Sequence, residues 1–162
     1  ELVLADIAAH VIDVMQDNPD DIFVMGSGST VDAIMQELGL DNTLLGVDIV
    51  KDQQLLHSDA TEQDILEYLD NDKAKLVITL IGGQGHVLGR GNQQLSPRVI
   101  SLIGRENILL VATKSKLQSL DGRPLISDSG DTQTDTNLAG LMPVITGYKD
   151  QVLYPLNTEE DR

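Results

Sequence analysis

The sequence predicts an α/β fold: a mostly parallel sheet of about five strands with helices on both faces, forming a three-layer sandwich. Short apolar runs that suit strands buried on both faces alternate with amphipathic stretches that suit helices. Parallel strands require such crossover helices between them. With 162 residues, of which 41% are hydrophobic, the chain fits one α/β domain, 1–162, with a substantial core.

The strands are predicted from apolar runs that end at turn residues. The first run follows Asn18-Pro19-Asp20 and stops at Gly26. The predicted strands are 21–25, 43–50, 75–81, 108–112 and 143–146. We expect the segment GYKDQVLYPL, 147–156, to form a last strand pair that turns at Lys149-Asp150, before the acidic tail TEEDR, 158–162, which frays.

The helices are predicted from apolar spacing and from their start signals. Thr61 stands three residues before Asp64, and Ser96 precedes a proline at the first helical position, so both are good N-caps. The predicted helices are the amphipathic opening stretch, 29–38, 61–69 and 96–103. After Thr113 we expect a long irregular segment with one short helix near 134–139.

The composition excludes several classes of partner. A formal net charge of −15 repels a nucleic acid backbone, and 2% aromatic residues leave few platforms for stacking bases. No run approaches the ~20 apolar residues of a membrane span, and the absence of cysteine excludes disulfides and thiolate metal sites. The first residues do not follow a signal-peptide pattern. We therefore expect a soluble, cytoplasmic protein that binds neither nucleic acid nor membrane.

A first glycine loop follows the predicted strand 21–25 and opens the next helix. Backbone N–H groups and the helix dipole converge there, and hydroxyl groups can donate to phosphate oxygens. The candidate ligand-binding residues are Gly26, Ser27, Gly28, Ser29 and Thr30. The loop is neither a Walker loop nor a dinucleotide fingerprint, since it lacks the lysine of the former and has Val31 where the latter has its third glycine. A plain strand-to-helix turn is the alternative.

A second glycine-rich segment follows the predicted strand 75–81. Its arginine can bind phosphate or carboxylate through two parallel hydrogen bonds. The side chains of its asparagine and glutamine residues can hydrogen-bond amide or hydroxyl groups of a ligand. The candidate residues are Gly82, Gly83, Gln84, Gly85, Arg90, Gly91, Asn92 and Gln93. Because both loops leave strands at the carboxyl edge of the sheet, we expect them to share one pocket.

Three charged residues complete the candidate ligand site. Asp48 lies within an apolar run and must be paired, solvated or functional. Lys114 and Lys116 follow a strand in a chain poor in cations, and either can meet a ligand's negative charge; a solvated surface lysine is the alternative.

The sequence identifies no catalytic residue and predicts no metal site. His86 lacks an identifiable carboxylate partner, which favours a loop histidine over a general base, and His10 and His57 are read as structural or surface residues. Asp128, Asp131 and Asp135 offer oxygen ligands for magnesium, but they do not match an EF-hand, and helix capping by Asp131 is favoured.

Four segments together resemble the C-terminal part of the ATP-NAD kinase-like family over roughly 20–148: GSGST, NTLLGVDIV, IGGQGHVLGRGNQQLSP and KLQSLDGRPLISDSGD. The resemblance implies a C-terminal fragment of a longer protein, with ATP or NAD and magnesium as ligands. It also implies a further N-terminal kinase-like domain as partner and NAD phosphorylation by the full-length protein. The N-terminal GGDGT motif of that family is absent here, so the fragment alone is expected to be inactive.

A weaker resemblance to ribose-5-phosphate isomerase rests on Gly26, Gly28, Ser29 and Thr30. It implies a sugar-phosphate ligand, with Asp48 and a lysine near the sugar. Three functions therefore stay open: a domain that binds a nucleotide or another phosphorylated metabolite, a sugar-phosphate isomerase, and an assembly module that packs against another domain or a second copy of the chain.

Overall fold

The computed structural model of the chain describes residues 2–89 and 93–161. Helices and strands alternate along most of it. The helices are α1 (Leu2–Asp17), α2 (Ser29–Leu38), α3 (Glu62–Leu69), α4 (Pro97–Ile103), α5 (Lys114–Gln118) and α6 (Thr132–Leu138). The strands are β1 (Ile22–Met25), β2 (Asp48–Lys51), β3 (Gln54–His57), β4 (Ala74–Ile78), β5 (His86–Leu88), β6 (Ile108–Val111), β7 (Leu125–Ser127), β8 (Gly140–Gly147) and β9 (Asp150–Thr158).

The strands form one nine-stranded sheet in the order β3-β2-β1-β4-β6-β8-β9-β7-β5. Its centre, β1-β4-β6-β8, is parallel throughout. The β2–β3 hairpin adds antiparallel to β1, and β9 adds antiparallel to β8. Strands β7 and β5 then continue parallel to β9. The structure thus confirms an α/β fold with a mostly parallel sheet.

Two apolar clusters lie against this sheet, and β1 contributes to both. Its side chains alternate: Ile22 and Val24 join one cluster, whereas Phe23 and Met25 join the other. The first cluster contains the buried residues of α3 and α4, and the second contains those of α1 and α2. Burial on both faces explains why β1 reads as an unbroken apolar run. The three-layer arrangement itself stays a prediction.

Side-chain caps start three of the helices that the sequence predicts, α3, α4 and α6. Thr61 and Asp64 form a capping box on α3, and Ser96 accepts the amide of Val99 at α4. Asp131 accepts the amide of Thr134 at α6, as the sequence predicts. No helix among the described residues combines the length and apolar character that crossing a membrane requires.

The prediction of about five strands is wrong, because the described residues form nine. Strand β3 is missed because its burial alternates and its hairpin turn, Asp52-Gln53, lacks the Asn-Gly or Asp-Gly signal of such turns. Both turn residues nevertheless have positive φ, at 49° and 61°. Strands β5 and β7 have only three residues each, too few for a periodic pattern.

Other boundaries also differ from expectation. Of the predicted strand 43–50, only the part from Asp48 onward is a strand. The preceding residues form a turn instead, because the amide of Thr43 donates to the Asp48 carboxylate. The segment after Thr113 is more regular than expected, since it contains α5, β7 and α6. The expected final strand pair is β8–β9, and Thr158, predicted to lie in the fraying tail, is the last residue of β9.

The cap at α6 predicts a loss of stability in acid. The hydroxyl and amide of Thr134 donate to Asp131 and hold its pKa below the ordinary value of 3.8. Stability from this group is therefore present above pH 3.8 and is lost as the pH falls through the lower folded-state pKa. Asparagine also caps helices but does not titrate. We expect the wild-type advantage over Asp131→Asn, measured by urea unfolding, to shrink as the pH falls through this window.

The matched control is Asp41→Asn, because Asp41 is exposed and has no hydrogen-bond or ion-pair partner among the described residues. The difference in unfolding free energy between wild type and Asp41→Asn should not show the pH dependence that is expected for Asp131→Asn. A wild-type advantage over Asp131→Asn that stays constant from neutral to acidic pH would contradict the assignment.

Candidate functional site

A cavity of about 820 Å³ opens at the carboxyl ends of the central parallel strands. Three strand ends reach it: the loop after β1 with the first turn of α2, the segment that joins β6 to α5, and the turn between β8 and β9. The start of α1 forms a side wall. The lining residues are Val3, Leu4, Asp6, Ser29, Thr30, Thr113, Lys114, Ser115, Lys116, Thr146, Gly147, Tyr148 and Asp150.

The first turn of α2 forms part of the wall of this cavity. The first amide with an intrahelical bond is that of Asp32, which donates to the Gly28 carbonyl at 2.9 Å. Gly28, the residue before the helix, has no side chain that could cap the helix amides that precede Asp32. Those amides lie at the positive end of the helix dipole. Ser29 and Thr30 add hydroxyl groups on the cavity wall. This arrangement stabilises negative charge.

Gly28 is required where the loop crosses β4. Its φ of 119° is disfavoured for residues with a side chain, and a Cβ there would lie 2.5 Å from Cγ2 of Thr79. Thr79 cannot move freely, because its hydroxyl donates to the carbonyl of Val111 at 2.6 Å. The amide of Gly26 meanwhile donates to the Val77 carbonyl at 2.9 Å. The loop is therefore held tightly against β4 and β6.

Two lysines carry the positive charge of the cavity. The Lys114 ammonium lies 3.0 Å from a carboxylate oxygen of Asp150. Hydrogen bonds from Lys114 and then Thr146 hold the pKa of Asp150 below its ordinary range, so this carboxylate stays ionised. The Lys116 ammonium has no hydrogen-bond or ion-pair partner within residues 2–89 and 93–161. Lys116 is therefore available to a ligand without breaking an existing pair.

The cavity unites part of the predicted site. Ser29, Thr30, Lys114 and Lys116 line it together, and Gly26, Ser27 and Gly28 belong to the same loop as Ser29. Sequence reasoning missed the other polar lining residues, although Thr113 was readable as the cap before α5. Those residues are Asp6, Thr113, Ser115, Thr146, Tyr148 and Asp150.

The described residues of the second glycine segment do not line this cavity, and a shared pocket stays a prediction. Gly82, Gly83, Gln84, Gly85 and Gln93 are not among the lining residues of the cavity. The carbonyl of Gly85 accepts the amide of Ile126, so this segment builds the β5–β7 pair. The predicted ligand contacts Arg90, Gly91 and Asn92 lie outside the described residues.

Asp48 is buried, with 1% of its surface exposed, and is not among the lining residues of the cavity. One carboxylate oxygen accepts the amide of Thr43 at 2.8 Å, and the other accepts the amide of Asp59 at 2.9 Å. These two bonds satisfy the buried charge and join the two ends of the β2–β3 hairpin region. The isomerase alternative would instead need Asp48 beside the sugar.

The three histidines differ in environment. His86 is not a loop histidine, since it begins β5, has 1% of its surface exposed, and its Nε2 lies 2.8 Å from the Glu159 carboxylate. His10 accepts the amide of Lys149, and His57 contacts Tyr68 and Asp64. These contacts agree with structural roles for His10 and His57.

A family model described as ATP-NAD kinase C-terminal domain matches residues 20–156. The chain belongs to this family. The match confirms the resemblance carried by the GSGST and GGQG segments, and it includes β1 to β8 and most of β9 of this ATP-NAD kinase C-terminal domain. No curated protein matches the chain, and no solved structure does.

The close approach at Gly28 predicts a measurable cost for adding a single carbon. Gly28→Ala should lower the unfolding free energy by about 2 kcal/mol, because it combines an unfavourable φ with the contact to Thr79. Thr79→Ser removes Cγ2 but keeps the hydroxyl that bonds Val111. The Gly28→Ala/Thr79→Ser pair should recover part of the loss in a double-mutant cycle measured by urea unfolding. Strict additivity of the two substitutions would contradict this contact.

The environment of Asp48 predicts a structural effect without a binding effect. Asp48→Ala leaves two backbone amides without their acceptor and should cost about 3 kcal/mol of unfolding free energy. Asp41→Ala, at an exposed carboxylate in the same connection, should change stability little. Under conditions where Asp48→Ala stays folded, its affinity for a cavity ligand should equal that of the wild type. A selective loss of affinity with unchanged stability would contradict this role.

Proposed function

We propose that this ATP-NAD kinase C-terminal domain binds a phosphorylated small molecule, such as a nucleotide, in the cavity between α2 and α5. The observation that carries the proposal is that Ser29 and Thr30, in the first turn of α2, line one cavity together with Lys114 and Lys116. The cavity volume of about 820 Å³ falls within the usual range of small-molecule sites, about 300–1,000 Å³.

The proposed mode of binding is local because the chain as a whole is acidic. With a net charge of −15, long-range attraction of an anion is unfavourable, so short-range donors must supply the affinity. A phosphate group accepts hydrogen bonds from the first amides of α2 and from Ser29 and Thr30. Lys116 neutralises its charge directly, and Lys114 is shared between the ligand and Asp150.

The wider proposal concerns the protein that contains this domain. Family membership supports a role in an ATP-NAD kinase-like protein that transfers phosphate from ATP to NAD with magnesium. In that proposal an N-terminal kinase-like domain supplies the catalytic groups, and this domain holds one of the phosphorylated ligands. A cytoplasmic location is part of the same proposal.

The ligand proposal predicts a thermal shift that depends on Lys116. At least one of ATP with magnesium, NAD, ribose 5-phosphate and inorganic phosphate should raise the melting temperature of the chain, because a ligand selective for the folded state stabilises it. Lys116→Ala should weaken that ligand's affinity about tenfold, as expected for losing one charge-assisted hydrogen bond. Titration calorimetry with the same ligand measures the change.

Lys73→Ala is the matched control, since it removes the same charge from an exposed position outside the cavity. It should leave the affinity unchanged. Equal weakening in both variants would show a non-specific charge effect. The absence of a thermal shift with all four compounds would contradict a phosphate-binding cavity in this domain.

A further inference from the structure

The ends of β5, β7 and β9 bring together a cluster of metal-ligating groups that the proposed function does not use. The ligand atoms of His86, Asp128 and Glu159 all lie within 4.8 Å of one another. None of the three residues lines the cavity between α2 and α5. We propose that this cluster binds a divalent transition-metal ion of the zinc type.

The strand pairing explains why residues far apart in sequence meet here. Strands β5, β7 and β9 are neighbours and run parallel. His86 pairs with Ile126, and Ser127 pairs with Thr158. Asp128 and Glu159 are the residues that follow this last pair, so their carboxylates emerge side by side at the carboxyl end of two adjacent strands. The imidazole of His86 comes from the third.

The backbone on both sides of Asp128 is fixed. Asp135 is buried, and one of its carboxylate oxygens accepts both the Ser127 hydroxyl at 2.6 Å and the Ser129 amide at 3.0 Å. The carbonyl of Asp128 packs so closely on Gly89 that a Cβ at Gly89 would overlap it. The Asp128 carboxylate itself has no hydrogen-bond or ion-pair partner among the described residues. A ligand position supported in this way requires little ordering on metal binding.

The Glu159 position is supported in a similar way. Thr158 ends β9, and its hydroxyl both donates to the Asp161 carboxylate and accepts the Asp161 amide. This short turn encloses the two residues between them, Glu159 and Glu160. His86 is 1% exposed, and its Nε2 points at Glu159 at 2.8 Å. A buried imidazole that contacts one carboxylate and has a second carboxylate within 4.8 Å is the feature that distinguishes this cluster from acidic surface residues.

The donor atoms favour a transition metal over magnesium or calcium. One imidazole nitrogen with two carboxylates is a mixed set that suits zinc and related ions, whereas magnesium and calcium prefer oxygen donors alone. A divalent ion balances the charge of the two carboxylates beside a neutral imidazole. On binding, the ion takes the place of the hydrogen-bonded proton between His86 and Glu159. Three protein ligands leave a coordination position for water or another small ligand.

Zinc titration of the tag-free, chelator-treated chain tests the proposal. Calorimetry should show one zinc site per chain, and Asp128→Asn should weaken it about tenfold or more, since even outer-shell changes commonly cost that much. Asp41→Asn removes the same charge elsewhere and should leave the affinity unchanged. The double variant His10→Gln/His57→Gln removes two of the three histidines of the sequence and leaves His86. This variant should keep the zinc site.

The possible outcomes separate clearly. Weakening in Asp128→Asn alone, with the site kept in the double histidine variant, supports the assignment. The proposal is overturned if the wild type binds no zinc, if Asp128→Asn binds as the wild type does, or if the double histidine variant loses the site. Magnesium or calcium binding as tightly as zinc would also overturn it. A melting temperature for each variant verifies that it is folded.

Discussion

The parallel pairing of β1, β4, β6 and β8 is the constraint on which the rest of the structure depends. Parallel neighbours cannot be joined by a tight turn, so each connection crosses back over the sheet before the next strand begins. Every strand of this group therefore ends at the same edge. That is why the α2 amides, the α5 lysines and the β8–β9 turn reach one cavity although they are far apart in sequence.

The sequence predicts best those elements whose environment is uniform along their length. Strands β1, β4 and β6 read as largely apolar runs because their side chains are buried in the apolar clusters on both sides of the sheet. Helices α3 and α4 are predicted because their caps are local signals. Strands β5 and β7 escape prediction because three residues cannot show a period, and their pairing is decided by distant segments.

The same distinction applies to the candidate site. Ser29, Thr30, Lys114 and Lys116 follow apolar strands directly, so their position at the sheet edge is readable in the sequence. The partners of Asp48 are not readable, since they are backbone amides supplied by the fold. His86 was misread because glycines around it suggest a loop, whereas its partner Glu159 lies 73 positions away in the chain.

The two borders of the sheet are short strands. The long strands β8 and β9 lie inside it, whereas β3 and β5, with four and three residues, lie at its ends. In addition, the carbonyl of His86 in β5 accepts a hydrogen bond from the amide of Ile81. A foreign strand would find few unpaired backbone groups at either border. A sheet this wide is thus protected from growing by strand addition to other molecules, which favours a chain that does not aggregate through its edges.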